Sequence, residues 1–309
     1  MLGLKDWCRT VFRGKGIFYY TKMFFDFLKS LRKQAIYAES RELIALNRQI
    51  HMTDYSKFLY SQKEDRETRR IIVSFTTHRD RIDYVHYLLD SLFFQTLRPS
   101  EVRLYIAQGE YKQMPRILDR FKPWLKIIET EDIGSFKKYI PALKDLGGGE
   151  SYLISLDDDL MVGPHFISRL VRLKDQYPNA MVGYIGSKNK KGVTIGLAGP
   201  TGILWDLKTF DIKKHPFFFQ KELFIDAMGI KNNDDPWLSF SANALGVEMH
   251  CLSDDFFTTY RKDFIPLPSE KMHALTASAS ELNIAKKSIM IESRVKKIIQ
   301  EAIKREQLS

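Results

Sequence analysis

From Ile71 onward the apolar positions alternate between two rhythms. Ile71, Ile72, Val73, Ser74 and Phe75 form a short run rich in β-branched residues, and Thr76, Thr77, His78 and Arg79 follow as a polar loop. That pattern predicts a buried strand running into a loop. Ile82, Val85, Leu88, Leu89 and Leu92 then recur at helical spacing until Pro99 marks the stop. The order repeats down the chain. Val102 to Ala107 predicts a second strand, Ile127 and Ile128 sit in a third, and Tyr152 to Leu156 makes a fourth. Between the third and fourth, the spacing predicts a helix over Phe136 to Leu146, closed by Gly147, Gly148 and Gly149. Strands alternating with helices imply parallel pairing with helices on the sheet faces, and such sheets take ligands beyond the carboxyl ends of their strands. The expectation is an α/β protein with one main domain over residues 67–282, built on a mostly parallel central sheet.

Two flanking segments read differently. In residues 1–66, Trp7, Val11, Phe12, Phe18, Tyr19, Phe24, Phe25, Leu28, Leu43, Ile44 and Leu46 recur at three-to-four spacing among charges, which predicts a basic helical N-terminal extension. Residues 283–309 predict a C-terminal basic helix with Ile289, Ile291, Val295, Ile298 and Ile299 as its buried stripe. The formal net charge is +10, and residues 1–70 hold fifteen Lys and Arg against eight Asp and Glu, so most of the excess is local. A basic, aromatic segment of this kind suits peripheral contact with an anionic membrane surface or a solvated helical face. Nucleic acid is not expected as a partner, because the aromatics fall at helical spacing rather than in a stacking-sheet motif. Lys22 and Asp26 interrupt the greasiest run, Gly16 to Leu28, so no membrane span is expected. Cys8 and Cys251 are too far apart for a disulfide framework or a Cys-ligated zinc site. The expected location is the cytoplasm, with peripheral contact at the inner face of the cell membrane.

Candidate chemistry gathers at the predicted strand ends. Asp157, Asp158 and Asp159 stand directly after the fourth strand and before Gly163 and Pro164. Adjacent carboxylates repel one another, and a hard divalent cation carrying a substrate phosphate, Mn2+ or Mg2+, relieves that repulsion. The plainer alternative is an acidic turn capping a helix that starts near His165. Asp234 and Asp235 form a second acidic pair suited to taking a proton from a hydroxyl, or to capping a helix together with Asn233 and Pro236. Arg79 and Arg81 follow the first strand, where guanidinium and backbone donors can meet phosphate. Lys137 and Lys138 sit near a helix start, and spacing does not decide which points inward. Gly199 and Gly202 bracket a turn that permits close backbone approach. Trp205 and Trp237 belong in the core more readily than on a sugar face. His250 and His273 lie downstream of the second acidic pair, where structural roles outweigh ligation.

Together these blocks resemble the family 2 type nucleotide-sugar glycosyltransferases with the GT-A fold, of the bacterial surface-polysaccharide type. The similarity rests on Tyr152 to Asp159 as strand and D-x-D signature, with Val73 to Thr77, Gln95 to Pro99, Gly134 to Lys144 and Asn233 to Trp237 in matching order. It implies Thr76, Arg79, Asp132, Lys138, Asp157, Asp158 and Gly202 as donor contacts, Asp159 and Asp157 as metal ligands, and Asp235, paired with Asp234, as catalytic base. The implied activity is metal-dependent transfer of a sugar from a UDP- or GDP-linked donor to a glycan or glycolipid hydroxyl, with inversion, in lipopolysaccharide or capsule synthesis. Two other readings compete with this one. A haloacid-dehalogenase-type phosphatase would need Thr or Val where Met161 stands, and a non-catalytic binding protein would use only the basic N-terminal segment.

Overall fold

The computed structural model describes residues 69–147, 149–208, 210–211, 213–228, 234–255, 263–267 and 281–308. The predicted N-terminal extension, Gly148, Asn233 and His273 therefore lie outside the described residues. The four strands read from the apolar runs all form: β1 (Ile71–Thr76), β2 (Glu101–Ala107), β3 (Leu125–Thr130) and β4 (Tyr152–Ser155). They pair in parallel in the order β3-β2-β1-β4. The sheet continues through β8 (Ile203–Asp206) and β6 (Met181–Lys188) to β7 (Thr194–Leu197), with β9 (Met249–Ser253) parallel to β6. β8 runs antiparallel to both neighbours, and β7 runs antiparallel to β6. The protein is thus an α/β fold with a mostly parallel central sheet.

Side-chain alternation along β1 shows why its sequence is apolar throughout. Ile71, Val73 and Phe75 enter one core with α1 (Val85–Phe93) and α3 (Phe166–Gln176). Ile72 enters the other, with α2 (Ile140–Leu146), α5 (Asp235–Ala244) and α6 (Glu281–Leu308). Both faces are covered at the centre of the sheet, so β1 must be apolar on both sides, and each large side chain buried stabilises by about 1.5–3 kcal/mol. Ser74 breaks the run for a reason: its hydroxyl donates to the Lys138 carbonyl, which fastens the loop after β3 against β1.

Two helical expectations need correction. The stretch after Ile133 is not one helix. Gly134–Lys138 is a 3-10 turn, and α2 begins only at Ile140. Pro141 supplies the reason, since it has no amide to continue the preceding turn and its ring would clash with the carbonyl of Lys137, while it fits the first turn of a new helix. Likewise the helix after β1 is split into a 3-10 turn, Arg79–Asp83, and α1. Beyond β4 the chain enters β5 (Leu160–Val162), which pairs antiparallel with β10 (Phe264–Pro266) in a small second sheet. Asp157 to Asp159 are therefore held between two strands, and the Leu267 amide donates to the Asp159 carbonyl at 2.8 Å.

Candidate active site

In a parallel sheet the switch in strand order, here between β1 and β4, opens a crevice at the carboxyl ends. The acidic segment lies on that edge. The Asp157 amide donates to Pro200 O at 3.3 Å, so the tip of β4 is tied to the 3-10 turn Gly199–Thr201. Arg81, from the turn after β1, faces the same carboxylates. Its Nη2 donates to Asp158 Oδ1 and lies 3.1 Å from Asp159 Oδ2. Burial by itself would lower the Arg81 pKa, but Asp158, Asp159 and Asp157 hold it above its ordinary value.

One guanidinium does not neutralise this tip. Burial pushes the Asp158 carboxyl up to about 7 despite Arg81, with Asp159 and Asp157 adding to the rise. Asp159 is raised to about 6 by burial and by Asp157. Its side chain is 25% exposed, so water screens part of that effect. Asp158 Oδ2 is buried with no hydrogen bond. The Thr77 hydroxyl is near enough to steady the Asp158 carboxylate, yet it too completes no hydrogen bond.

The second acidic pair meets the first across Lys138. Its Nζ lies 2.8 Å from Asp157 Oδ1 and 2.9 Å from Asp234 Oδ2, and only 2% of its side chain is exposed. The contact to Asp157 is a hydrogen bond, whereas Asp234 Oδ2 has the distance of an ion pair without hydrogen-bond alignment. Burial opposes the ammonium, but Asp157, Asp234 and Asp235 together raise its pKa. Asp235 opens α5, and its Oδ1 accepts from the Gly199 amide at 3.1 Å. Burial, with Asp234 next in effect, pushes Asp235 up to about 7. Asp234 occupies the N-cap position without a capping hydrogen bond, so its carboxylate serves the Lys138 contact instead.

The remaining candidates divide. Thr76 closes β1, and its hydroxyl donates to the Tyr105 carbonyl at 2.7 Å. Arg79 is exposed and sits at φ +49°, a conformation non-glycine residues rarely take. Its amide donates to Glu110 at 2.8 Å, and its carbonyl accepts from Tyr111 at 3.0 Å, so the loop after β2 holds it there. Asp132, past the end of β3, accepts from Lys137 Nζ at 2.8 Å and from the Gly134 amide at 3.1 Å. β3 is three strand spacings from β4, about 14 Å, so only an extended ligand reaches both ends. His250 pairs with Glu248 at 2.8 Å on the opposite edge of the sheet, away from the acidic tip. Trp205 and Trp237 are fully buried in the core.

The two turn glycines take different places, and Gln95 and Tyr139 gain roles that the sequence blocks did not assign. Gly202 has φ +99°, and a Cβ there would strike the Phe166 ring. The glycine whose absent side chain leaves room for the acidic cluster is Gly199, where a Cβ would lie 2.3 Å from Asp235 Oδ1 and 3.1 Å from Lys138 Nζ. Gln95 donates to the Ser91 and Gly163 carbonyls and accepts from the Ile167 amide, bracing the segment behind the acidic tip. Tyr139 is buried beside Asp234 and Asp235 with its hydroxyl unpartnered, and its pKa is raised by burial and by those carboxylates. The only signal for Gln95 and Tyr139 was membership in the matching blocks, since contacts 68 or more positions apart leave no local pattern.

An α/β domain with two acidic clusters joined at its switch point is the class this geometry defines. No protein-family model and no curated protein matches the chain. Among solved structures, residues 1–349 of TarS from S. aureus in complex with UDP are similar at 17% identity and a TM-score of 0.44, covering 76% of this chain and 71% of that one. The same protein with UDP-GlcNAc gives 16% and 0.43 over the same shares. GalNAc-T7 with UDP, GalNAc and Mn2+ gives 16% and 0.33, covering 40% of this chain and 24% of that one. At these scores the assignment of architecture rests on the strand order and pairing themselves. Among the described residues no helix is long and apolar enough to cross a membrane.

Proposed function

We propose that this chain is a metal-dependent glycosyltransferase that moves a sugar from a UDP- or GDP-linked donor to a hydroxyl of a glycan or glycolipid, with inversion. The observation that carries the reading is the meeting of Asp157, Asp158 and Asp159 with Asp234 and Asp235 around Lys138 and Arg81. Five carboxylates face buried Lys138 and half-buried Arg81 there, so an anionic diphosphate needs further positive charge to dock.

The chain's residues fit a dication that brings its own diphosphate and water ligands. Asp159 is partly open to solvent, the raised proton affinities of Asp158 and Asp159 express a demand for positive charge, and Asp158 Oδ2 is unpartnered. Among the described residues no three acidic, histidine or cysteine side chains form a ready-made cage. Held by Asp159 and Asp157, manganese or magnesium would supply charge neutralisation for the departing diphosphate.

Thr76, Arg79 and Asp132 line the edge toward β3 and take the nucleoside end of the donor, while Asp157, Asp158 and Gly202 border its sugar and phosphates. Asp235 is the base. Its Oδ1 is fixed by the Gly199 amide, which leaves Oδ2 to accept a proton. As the acceptor oxygen forms its bond to the anomeric carbon, its proton passes to Asp235 Oδ2. The bond from that carbon to the donor phosphate oxygen breaks, and the nucleoside diphosphate leaves with the electron pair. Attack opposite the leaving group inverts the anomeric centre.

Surface-glycan synthesis and contact with the inner face of the membrane through residues 1–66 complete the reading, supported by the local basic excess. The test is donor turnover across UDP- and GDP-sugars with manganese. Asp235→Asn should keep UDP or GDP binding and lose transfer by about 100-fold or more; unimpaired transfer would remove Asp235 from the role.

A further inference from the structure

We infer that Lys138 is a positioning residue whose ammonium binds the tip of β4 to the first turn of α5, making two acidic clusters one site without touching substrate. This deepens the transferase reading and rests on it for the role of Asp235.

Four separate stretches of chain converge on Lys138 Nζ: its own 3-10 turn, Asp157 after β4, Gly199 before β8, and Asp234 with Asp235 at the start of α5. The turn carrying Lys138 is itself fixed, because the Ser74 hydroxyl of β1 donates to the Lys138 carbonyl. The ammonium is therefore anchored to the centre of the sheet. Lys137, its neighbour, is committed elsewhere through Asp132. A donor phosphate reaching for Lys138 would have to displace a carboxylate from an ammonium that is almost wholly enclosed. The opposite effect is the effective one. Without the ammonium, Asp157 and Asp234 would face each other across a buried gap as like charges.

The consequence for the reaction is geometric. α5 carries Asp235 one residue beyond Asp234, so the contact that fixes Asp234 also fixes where the base stands relative to the β4 tip. A misplacement of about 1 Å costs on the order of 100-fold in rate.

Thermal unfolding of the metal-free full chain at pH 8 reads the contact directly. Lys138→Met should lower Tm by on the order of 10 °C, because buried Asp234 and half-buried Asp157 lose their counter-charge. Adding Asp157→Asn and Asp234→Asn to that background should recover at least about half the loss, as expected for directly coupled groups. Purely additive losses would overturn the inference. If Lys138→Met does not fold, folding of the triple variant supports the inference and its failure to fold refutes it. UDP affinity in manganese and turnover of UDP-GlcNAc separate positioning from donor contact. Lys138→Met should leave UDP affinity within about threefold while turnover falls by about 100-fold. An affinity loss of about tenfold or more in step with turnover would make Lys138 a donor contact instead. Failure of the wild type to bind UDP or GDP counts against the transferase reading alone, and the unfolding cycle still decides whether the ammonium joins the clusters.

Discussion

At the level of single residues, the site depends on what is absent at Gly199. Its amide holds Asp235 Oδ1, and a methyl group in place of its hydrogen would occupy the space of that oxygen. Gly199→Ala should therefore cost about 1–3 kcal/mol in stability through overpacking and lower transfer by about 100-fold, since the base must move. Near-normal transfer in Gly199→Ala, measured beside its unfolding midpoint, would show that Asp235 does not need this seat. The proton affinity of Asp235 sets a second expectation at this scale. A base must be deprotonated to act, and burial beside Asp234 holds this one at about 7. At saturating manganese and donor, transfer should thus rise with pH up to about 7 and flatten above, and the limb should vanish with the residual activity of Asp235→Asn.

The elements that carry these residues were unequally legible. β1, β2 and β4 could be read from apolar runs because strands buried on both faces keep few exposed positions to blur the signal, and edge strand β3 was legible only through Ile127 and Ile128. β7 and β8 have four residues each and β5 and β10 only three, too few for a period to appear, while β6, with eight, is interrupted by Gly183 and Gly186 and ends on polar Ser187 and Lys188. The acidic pairs were legible as sequence, but their convergence was not, because Lys138 reaches Asp157 and Asp234 from 19 and 96 positions away. Pro141 was a readable sign of the break before α2 that the helical spacing overrode. In α6 the expected stripe holds at Val295 and Ile299, with Ile298 half-buried, while the side chains of Ile289 and Ile291 lie outside the described residues. Ala302 joins the stripe one turn on. That stripe packs in the core beside α5, and the Phe217 amide donates to Glu306 at 2.6 Å, pinning the helix end. Ile299→Ala should cost about 2–5 kcal/mol. Because α5 bears Asp235 at its start, the same change should lower transfer more than it lowers affinity for UDP. Equal losses in both would mean that α6 supports the whole domain and not α5 in particular.

Across the whole molecule, charge is divided against itself: the chain is strongly basic, yet its switch point is acidic. The folded state keeps Asp158, Asp159 and Asp235 at about 7, 6 and 7, above the ordinary carboxylate value near 4. A carboxyl whose proton affinity is higher folded than unfolded stabilises the fold while protonated. Its contribution is fully present below about pH 4 and lost as pH rises through about 6 to 7. Metal-free protein should accordingly lose stability between about pH 5 and pH 8, against the usual trend for ion-paired carboxylates. A dication reverses the sign, because it binds the ionised form and competes with protons. Manganese should therefore raise Tm more at pH 8 than at pH 5.5, and more still with UDP present. Asp159→Asn should reduce both the metal-free pH dependence and the manganese shift. If manganese raised Tm equally at both pH values, or if Asp159→Asn left its effect intact, the ion would be binding elsewhere on the protein and the acidic tip would lose its assigned part in donor binding.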